Sequence, residues 1–394
     1  MKQMKKLFYF LAILLLSQCN NSKSGAGDLI EIDISKGYHE RELYIQDIAK
    51  IEYIPLETNK NALMRGTNAI IFHVSDNYIV AADRRDGYVF VFDGKGNFKY
   101  SFNHTGNGPA EYRVVATSAF DEQAKEIYVF HEYSPVPKFL VYSESGEFKR
   151  QLECPPNLKT VWEIYNFDDS SLLIYDECDP KNNTHSNNPY MFISKNDGRI
   201  DTLDLFFSNR ISNRIITEME FGGQKRNMTL GLSDINNRSY GKNFLIADRS
   251  SDTIYRLTTQ KKLQPLIVRK PSVYDSYPHT IITNHLITDR FIFLGKRTLD
   301  FEAAKNGNVP ETIELIYDFR TGELNRRRLA NKDCEDLRVT FYQTITSENT
   351  GVCLIDVARL FELNEEGKVK GELKELLKTL DEEDNPILMK MSFF

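Results

Sequence analysis

Tryptophan occurs once in these 394 residues, at Trp162; cysteine occurs five times and histidine seven. The histidines are scattered and form no HxH or HExxH pair, so a catalytic zinc centre has no support in the sequence. No CxxC or Cys/His cluster occurs, which removes a structural zinc site as well. A Gly-Lys-Ser/Thr phosphate loop and a G-x-S-x-G nucleophile elbow are also missing. No metal and no cofactor are expected. Lys and Arg number 50 against 56 acidic residues, for a net charge of −6. That balance lacks the basic footprint a nucleic-acid partner requires.

Long apolar runs are equally few. The one candidate, LFYFLAILLL (7–16), has ten residues, whereas a membrane-spanning helix needs about 20. It follows Lys2, Lys5 and Lys6, and so reads as the apolar part of a signal peptide. The next residues, LLSQCNN, resemble a bacterial lipobox with Cys19 as the residue to be lipidated; Gln18 departs from the usual small residue. Residues 1–19 are therefore expected to be a lipoprotein signal peptide, 20–28 a flexible tether, and 29–394 one folded domain. The expected partner at this end is a membrane, held through a lipid anchor on the cell envelope. Export permits disulfides. The spacing favours Cys154–Cys178 and Cys334–Cys353, with buried thiols as the alternative.

What is plentiful is aromatic and β-branched sequence in short runs: 25 Phe and 20 Tyr. One pattern recurs, an apolar strand followed by a polar turn and an apolar return. It appears in VFVFDGKGNF (89–98), FLVYSESGEF (139–148), MFISKNDGRI (191–200), IYRLTTQKKL (254–263), LIYDFRTGEL (315–324) and LFELNEEGKV (360–369). The turn residues Gly96, Gly146, Gly198, Lys261, Gly322 and Gly367 lie 50, 52, 63, 61 and 45 residues apart. Each is a hairpin signal, with Gly supplying positive φ. AADRRDGYVFVFD (81–93) also aligns without gaps on IADRSSDTIYRLT (246–258). Six units of this length predict an all-β, six-bladed β-propeller. One helix is expected at 371–384, where Leu373, Leu376, Leu377 and Leu380 share a face, with a final strand in NPILMKMSFF that closes the ring on an N-terminal strand.

Three stretches, IEYIPLET (51–58), GNGPAEY (106–112) and EEDNPIL (382–388), resemble signatures of the six-bladed propeller lipoproteins of Bacteroides-type bacteria, relatives of NHL-repeat propellers. The resemblance covers about residues 29–394, and Ala110 departs from a usual glycine. It implies an exported cell-envelope propeller and no particular reaction.

In a four-stranded blade a-b-c-d, the b–c loops and d–a crossovers share one end. That end collects Asp83 and Arg84, His131, and Asp248 and Arg249 from b–c loops. It also collects the crossover FNHTGNGPAEYRVV with His104, Glu111 and Tyr112. Two readings of this crossover stand. In one, Gly106 and Gly108 allow a sharp bend, Gly108 at positive φ, while Glu111 caps backbone N–H groups and Tyr112 packs. In the other, these side chains line a ligand funnel. The leading function is a non-catalytic envelope module that binds a glycan or a protein. The alternative is a polysaccharide- or peptide-acting hydrolase or lyase using His131, Glu111 and Arg84 as acid/base and anion-holding groups. A purely structural subunit would instead expose an apolar patch on its rim.

Overall fold

The strand Tyr88–Asp93 (YVFVFD) is apolar on both faces, whereas a strand with one wet face would alternate. The reason is that both faces are covered. The structure, a computed structural model, describes residues 29–394 apart from 65–68, 85, 132–133, 135, 156–157, 159–160, 178–185, 222–223, 233–236, 241–242, 338, 340 and 342–347. The signal segment, Cys19 and the tether lie outside the described residues. Six sheets form the blades of a propeller.

Blade one is Ala69–Val74, Tyr78–Asp83, Tyr88–Asp93 and Phe98–Asn103, called a to d in chain order. Blade two is Ser118–Asp121, Glu126–His131, Lys138–Ser143 and Phe148–Glu153. Blade three is Val161–Asn166, Ser171–Asp176, Tyr190–Ser194 and Ile200–Thr202. Blade four is Asn237–Tyr240, Asn243–Ile246, Thr253–Leu257 and Leu263–Lys270; blade five is Thr280–Ile287, Phe291–Thr298, Ile313–Asp318 and Glu323–Ala330. Blade six has three described strands, Thr350–Ile355, Ile387–Phe393 and Ala49–Pro55.

Successive residues of the middle strands enter opposite interfaces. Ile79, Ala81, Phe90 and Phe92 pack with Ile54, Val352 and Leu388 of blade six. Val80, Ala82, Val89 and Val91 pack with Phe120, Ile127, Val129 and Leu140 of blade two. Corresponding clusters join blades two and three, three and four, four and five, and five and six. The period of two therefore selects an interface, not a polarity.

The ring closes as expected. Ile387–Phe393 pairs antiparallel with Ala49–Pro55, from Ile387↔Pro55 to Phe393↔Ala49. Two further N-terminal strands were not legible in the sequence. Ile30–Asp33 adds in parallel to the outer edge of blade four, and Glu40–Tyr44 to that of blade five. Both cover strand edges that would otherwise present open N–H and C=O groups. Glu31–Lys270, Glu40–Arg326 and Glu42–Arg328 pair across these edges at 2.7, 3.4 and 3.9 Å. Such exposed pairs contribute at most about 1 kcal/mol each, so the backbone ladder does most of the holding.

All six turn residues have positive φ, from 60° at Lys261 to 90° at Gly146. Five sit in c–d hairpins. The sixth corrects the expectation: residues 360–369 are not a hairpin. Asp356 caps the helix Val357–Glu365 by accepting the Arg359 N–H, and Gly367 follows that helix's end. A second helix, Gly371–Leu377, follows, shorter than the expected 371–384. The chain thus has two C-terminal helices instead of one, and a short third helix at Phe301–Lys305. Leu360, Leu363, Leu373 and Leu377 bury into the blade five–six core. Cys334 and Cys353 lie in the same core as thiols, so that expected disulfide is absent. Cys154 is also a buried thiol, and Cys178 lies outside the described residues.

Removing residues 386–394 deletes the strand that joins blade six to Ala49–Pro55. Leu388, fully buried, anchors it, and Leu388→Ala alone should cost about 2–5 kcal/mol. The truncated chain should lose its cooperative melt. A truncation with an unchanged Tm would show that the ring is not held there.

Candidate functional site

The crossover from blade one to blade two begins where Phe98–Asn103 ends. The Glu111 carboxylate turns back and accepts the Gly108 N–H at 2.7 Å. Gly106 and Gly108 are not at positive φ, which corrects the reason expected for them. The constraint is space: a Cβ on Gly106 would lie 1.9 Å from Glu111 Oε2, and one on Gly108 would lie 3.1 Å from Glu111 Cδ. Tyr112 is fully buried; its hydroxyl donates to the Gly87 carbonyl at 2.8 Å and accepts the His104 N–H at 3.1 Å. His104 stacks on Tyr142, ring centres 5.0 Å apart, and its Nε2–H donates to the Gly146 carbonyl at 2.7 Å. Tyr142 in turn donates to the Ala110 carbonyl at 2.7 Å. These bonds pin the loop to blade two.

Asp83 and Asp248 keep the equivalence seen in the aligned repeats. Both are buried, and each accepts a backbone N–H of its own loop, from Asp86 at 3.1 Å and from Ser250 at 2.7 Å. The arginines beside them diverge. Arg84 keeps an exposed side chain, yet the atoms crowded around it lower its pKa through desolvation. Arg249 is buried and donates to Glu177 at 2.7 Å and to the Tyr175 hydroxyl at 3.3 Å. His131 ends its b strand half-buried. Burial first, then the charges of Lys138 and Arg113, lower its pKa. No hydrogen bond or ion pair among the described residues links His131, Glu111 and Arg84.

Sequence reasoning missed the groups around Arg249. Arg210 donates to the Tyr175 hydroxyl at 3.0 Å and to the carbonyls of Asp176 and Ser186 at 2.8 and 3.1 Å. The Tyr190 hydroxyl donates to Asp248 at 3.3 Å, and Ser250 Oγ accepts the Ile211 N–H at 2.9 Å. Blades three and four thus share a buried charged network at their b–c loops. Arg210 lies in the linker after blade three, with nothing local to mark it. Burial raises the Asp176 pKa to about 6, against the Ser186 N–H and Arg210 charge that oppose the shift, with Glu177 adding to it. No group of three or more His, Cys, Asp or Glu able to hold a metal occurs among the described residues. No described helix is long and apolar enough to cross a membrane.

A family model described as a domain of unknown function, DUF4934, matches residues 29–392. The chain belongs to the DUF4934 family. Among curated proteins nothing matches it. This DUF4934 propeller is similar to a solved structure described as an exported protein of Bacteroides fragilis NCTC 9343. The TM-score is 0.64 at 17% identity, over 93% of this chain and 100% of that one. At that identity the likeness shows the shared fold alone. A member of the DUF4221 family from Bacteroides vulgatus ATCC 8482 matches with TM-score 0.48 and 9% identity, over 88% of this chain and 97% of that one.

Two outcomes test this geometry. Gly106→Ala should destabilise by about 1–3 kcal/mol, because Glu111 must leave its bond. In a Glu111→Ala background the same change should cost less than half as much, a coupling that denaturant titration of the four variants reads directly. Additive costs would mean the close approach is not the constraint. The second outcome concerns pH. The folded chain holds the Asp176 proton up to about 6, the unfolded chain only to 3.8. That contribution is complete below 3.8 and is lost as pH rises through about 6, up to ~3 kcal/mol. Asp176→Asn should therefore raise Tm at about pH 7.5 and leave it unchanged at about pH 3.5. Equal destabilisation at both values would assign the carboxylate a purely bonding role.

Proposed function

We propose that this protein is an exported, lipid-anchored propeller of the cell envelope that binds a glycan or protein partner on its b–c and d–a face. Residues 7–19 support the address: a short apolar run followed by a cysteine in a lipobox-like setting. The exported description of the Bacteroides fragilis neighbour agrees with it.

The observation that carries the reading is a hairpin that belongs to no blade. Arg214–Phe221 pairs with Gln224–Gly231 inside the crossover from blade three to blade four. Ring closure does not need it, and an isolated two-stranded hairpin is marginal in water. Its base is nevertheless fastened. The Arg214 guanidinium lies 3.8 Å from the centre of the Trp162 ring, a cation–π contact that uses the sequence's single tryptophan. Ile211 and Leu232 bury on either side of the base. Beyond it, Ile216 and Met228 are 43% and 41% exposed, and most of Gln224–Gly231 faces water. A held, projecting strand pair with open edges and mixed polar and apolar surface suits recognition more than catalysis.

The test uses Cys19→Ala protein, which should still be exported but no longer partition with membranes. Screened on a glycan array and by pull-down from envelope extract, it should select a defined ligand. Replacing residues 215–230 by a short Gly-Ser turn should remove that binding without moving Tm. Binding that survives the replacement, or turnover of a polysaccharide or peptide in place of binding, would overturn the proposal.

A further inference from the structure

A cavity of about 500 Å³ opens between blades five and six, on the same b–c and d–a face. Arg327 lines it, with a side chain only 3% exposed. Its Nη2 donates to Glu314 Oε2 at 2.7 Å, and its guanidinium sits 5.1 and 5.6 Å from the Phe293 and Phe341 ring centres. Among the described residues its Nε–H has no partner, and Glu314 is its one hydrogen-bond partner. A guanidinium offers five N–H donors in a fixed fork, and burying unmet donors is costly. Such a group is arranged to receive an acceptor.

The arrangement is built across a whole blade. His285, on the a strand, holds Glu314 Oε2 of the c strand through Nδ1 at 3.1 Å. To do so its ring crosses the b strand at Gly295, where a Cβ would lie 2.7 Å from both His285 Nε2 and Thr283 Oγ1. Glu314 then orients Arg327 on the d strand. The mouth has the opposite sign. Glu311 and Glu335 are exposed there, while Asp336 is answered by Lys368 at 2.5 Å and the lining Arg328 by Glu42 at 3.9 Å. Leu329 and Leu337 supply apolar wall. A simple anion would meet the two exposed carboxylates, and a simple cation would leave the Arg327 donors unused. A small molecule carrying both charges satisfies both ends.

We propose that this cavity binds a free α-amino acid with an apolar side chain. Its carboxylate lies on Arg327, its ammonium group faces Glu311 and Glu335, and its side chain lies on Leu329 and Leu337. The proposal goes beyond macromolecular binding at the hairpin and does not depend on it. Calorimetry on the full chain with three probes tests it: L-leucine, N-acetyl-L-leucine and L-leucinamide. Leucine should bind saturably, and each blocked analogue at least roughly tenfold more weakly, the scale of one lost charge-assisted bond. The surface double variant Glu311→Gln/Glu335→Gln should weaken leucine by roughly tenfold and leave N-acetyl-leucine no weaker than before. Arg327→Met should abolish leucine binding; should it fail to fold, the surface variant decides. No heat with leucine at 10 mM, equal binding of the three probes, or wild-type affinity in the surface variant would overturn the assignment.

Discussion

Everything in this molecule depends on blade six being completed by residues from the other end of the chain. A blade buries both faces against its neighbours, so a gap in the ring would expose two apolar faces at once. The antiparallel ladder between Ile387–Phe393 and Ala49–Pro55 prevents that, and Ile54 and Leu388 carry the closure into the core shared with blade one. The two earlier N-terminal strands continue the same logic outward, covering the edges of blades four and five. An N-terminal segment that looks like a leader to the fold is therefore spread over three consecutive blades.

With the ring closed, one face becomes available for variation. The b–c loops and d–a crossovers share that face, and the chain treats them differently around the ring. Between blades one and two, short bonds fasten the crossover. Between blades three and four, the crossover grows into a projecting hairpin above a buried charged network. At blade six, the b–c connection becomes a helix pair seated on the core. Each variation leaves the strand-to-strand packing between blades in place.

Charge placement on this face follows solvent access. Arg249, Arg210 and Arg327 are buried and each is held by specific oxygens or rings, since an unpaired buried charge is prohibitive. Arg84, at an equivalent point of its repeat, stays in water. Similar local sequence thus produced two environments, and the difference came from what the preceding blade offered: Glu177 and Tyr175 stand beside Arg249.

The sequence alone marked five blades by their hairpin turns, because a positive-φ turn is a local requirement that Gly, or one Lys, must meet in place; the count of six also used Gly367, which ends a helix. It also predicted the final strand, and of its two readings of the crossover the structure shows Glu111 capping its own loop, both short-range properties. It misread residues 360–369, where a Gly at positive φ ends a helix just as readily as it turns a hairpin. It also misassigned Gly108 to backbone strain, and of its two readings of Cys334 and Cys353 the buried thiols hold, not the disulfide. Only the tertiary structure decided which distant residues meet: Arg249 with Glu177 between blades three and four, Arg214 of the hairpin with Trp162, and, across blade five, His285 over Gly295 to Glu314 and Arg327. The side-chain pairs in those contacts join residues 13 to 72 positions apart. No local pattern encodes them, because strand pairing within a blade and packing between blades, not chain neighbourhood, bring them together.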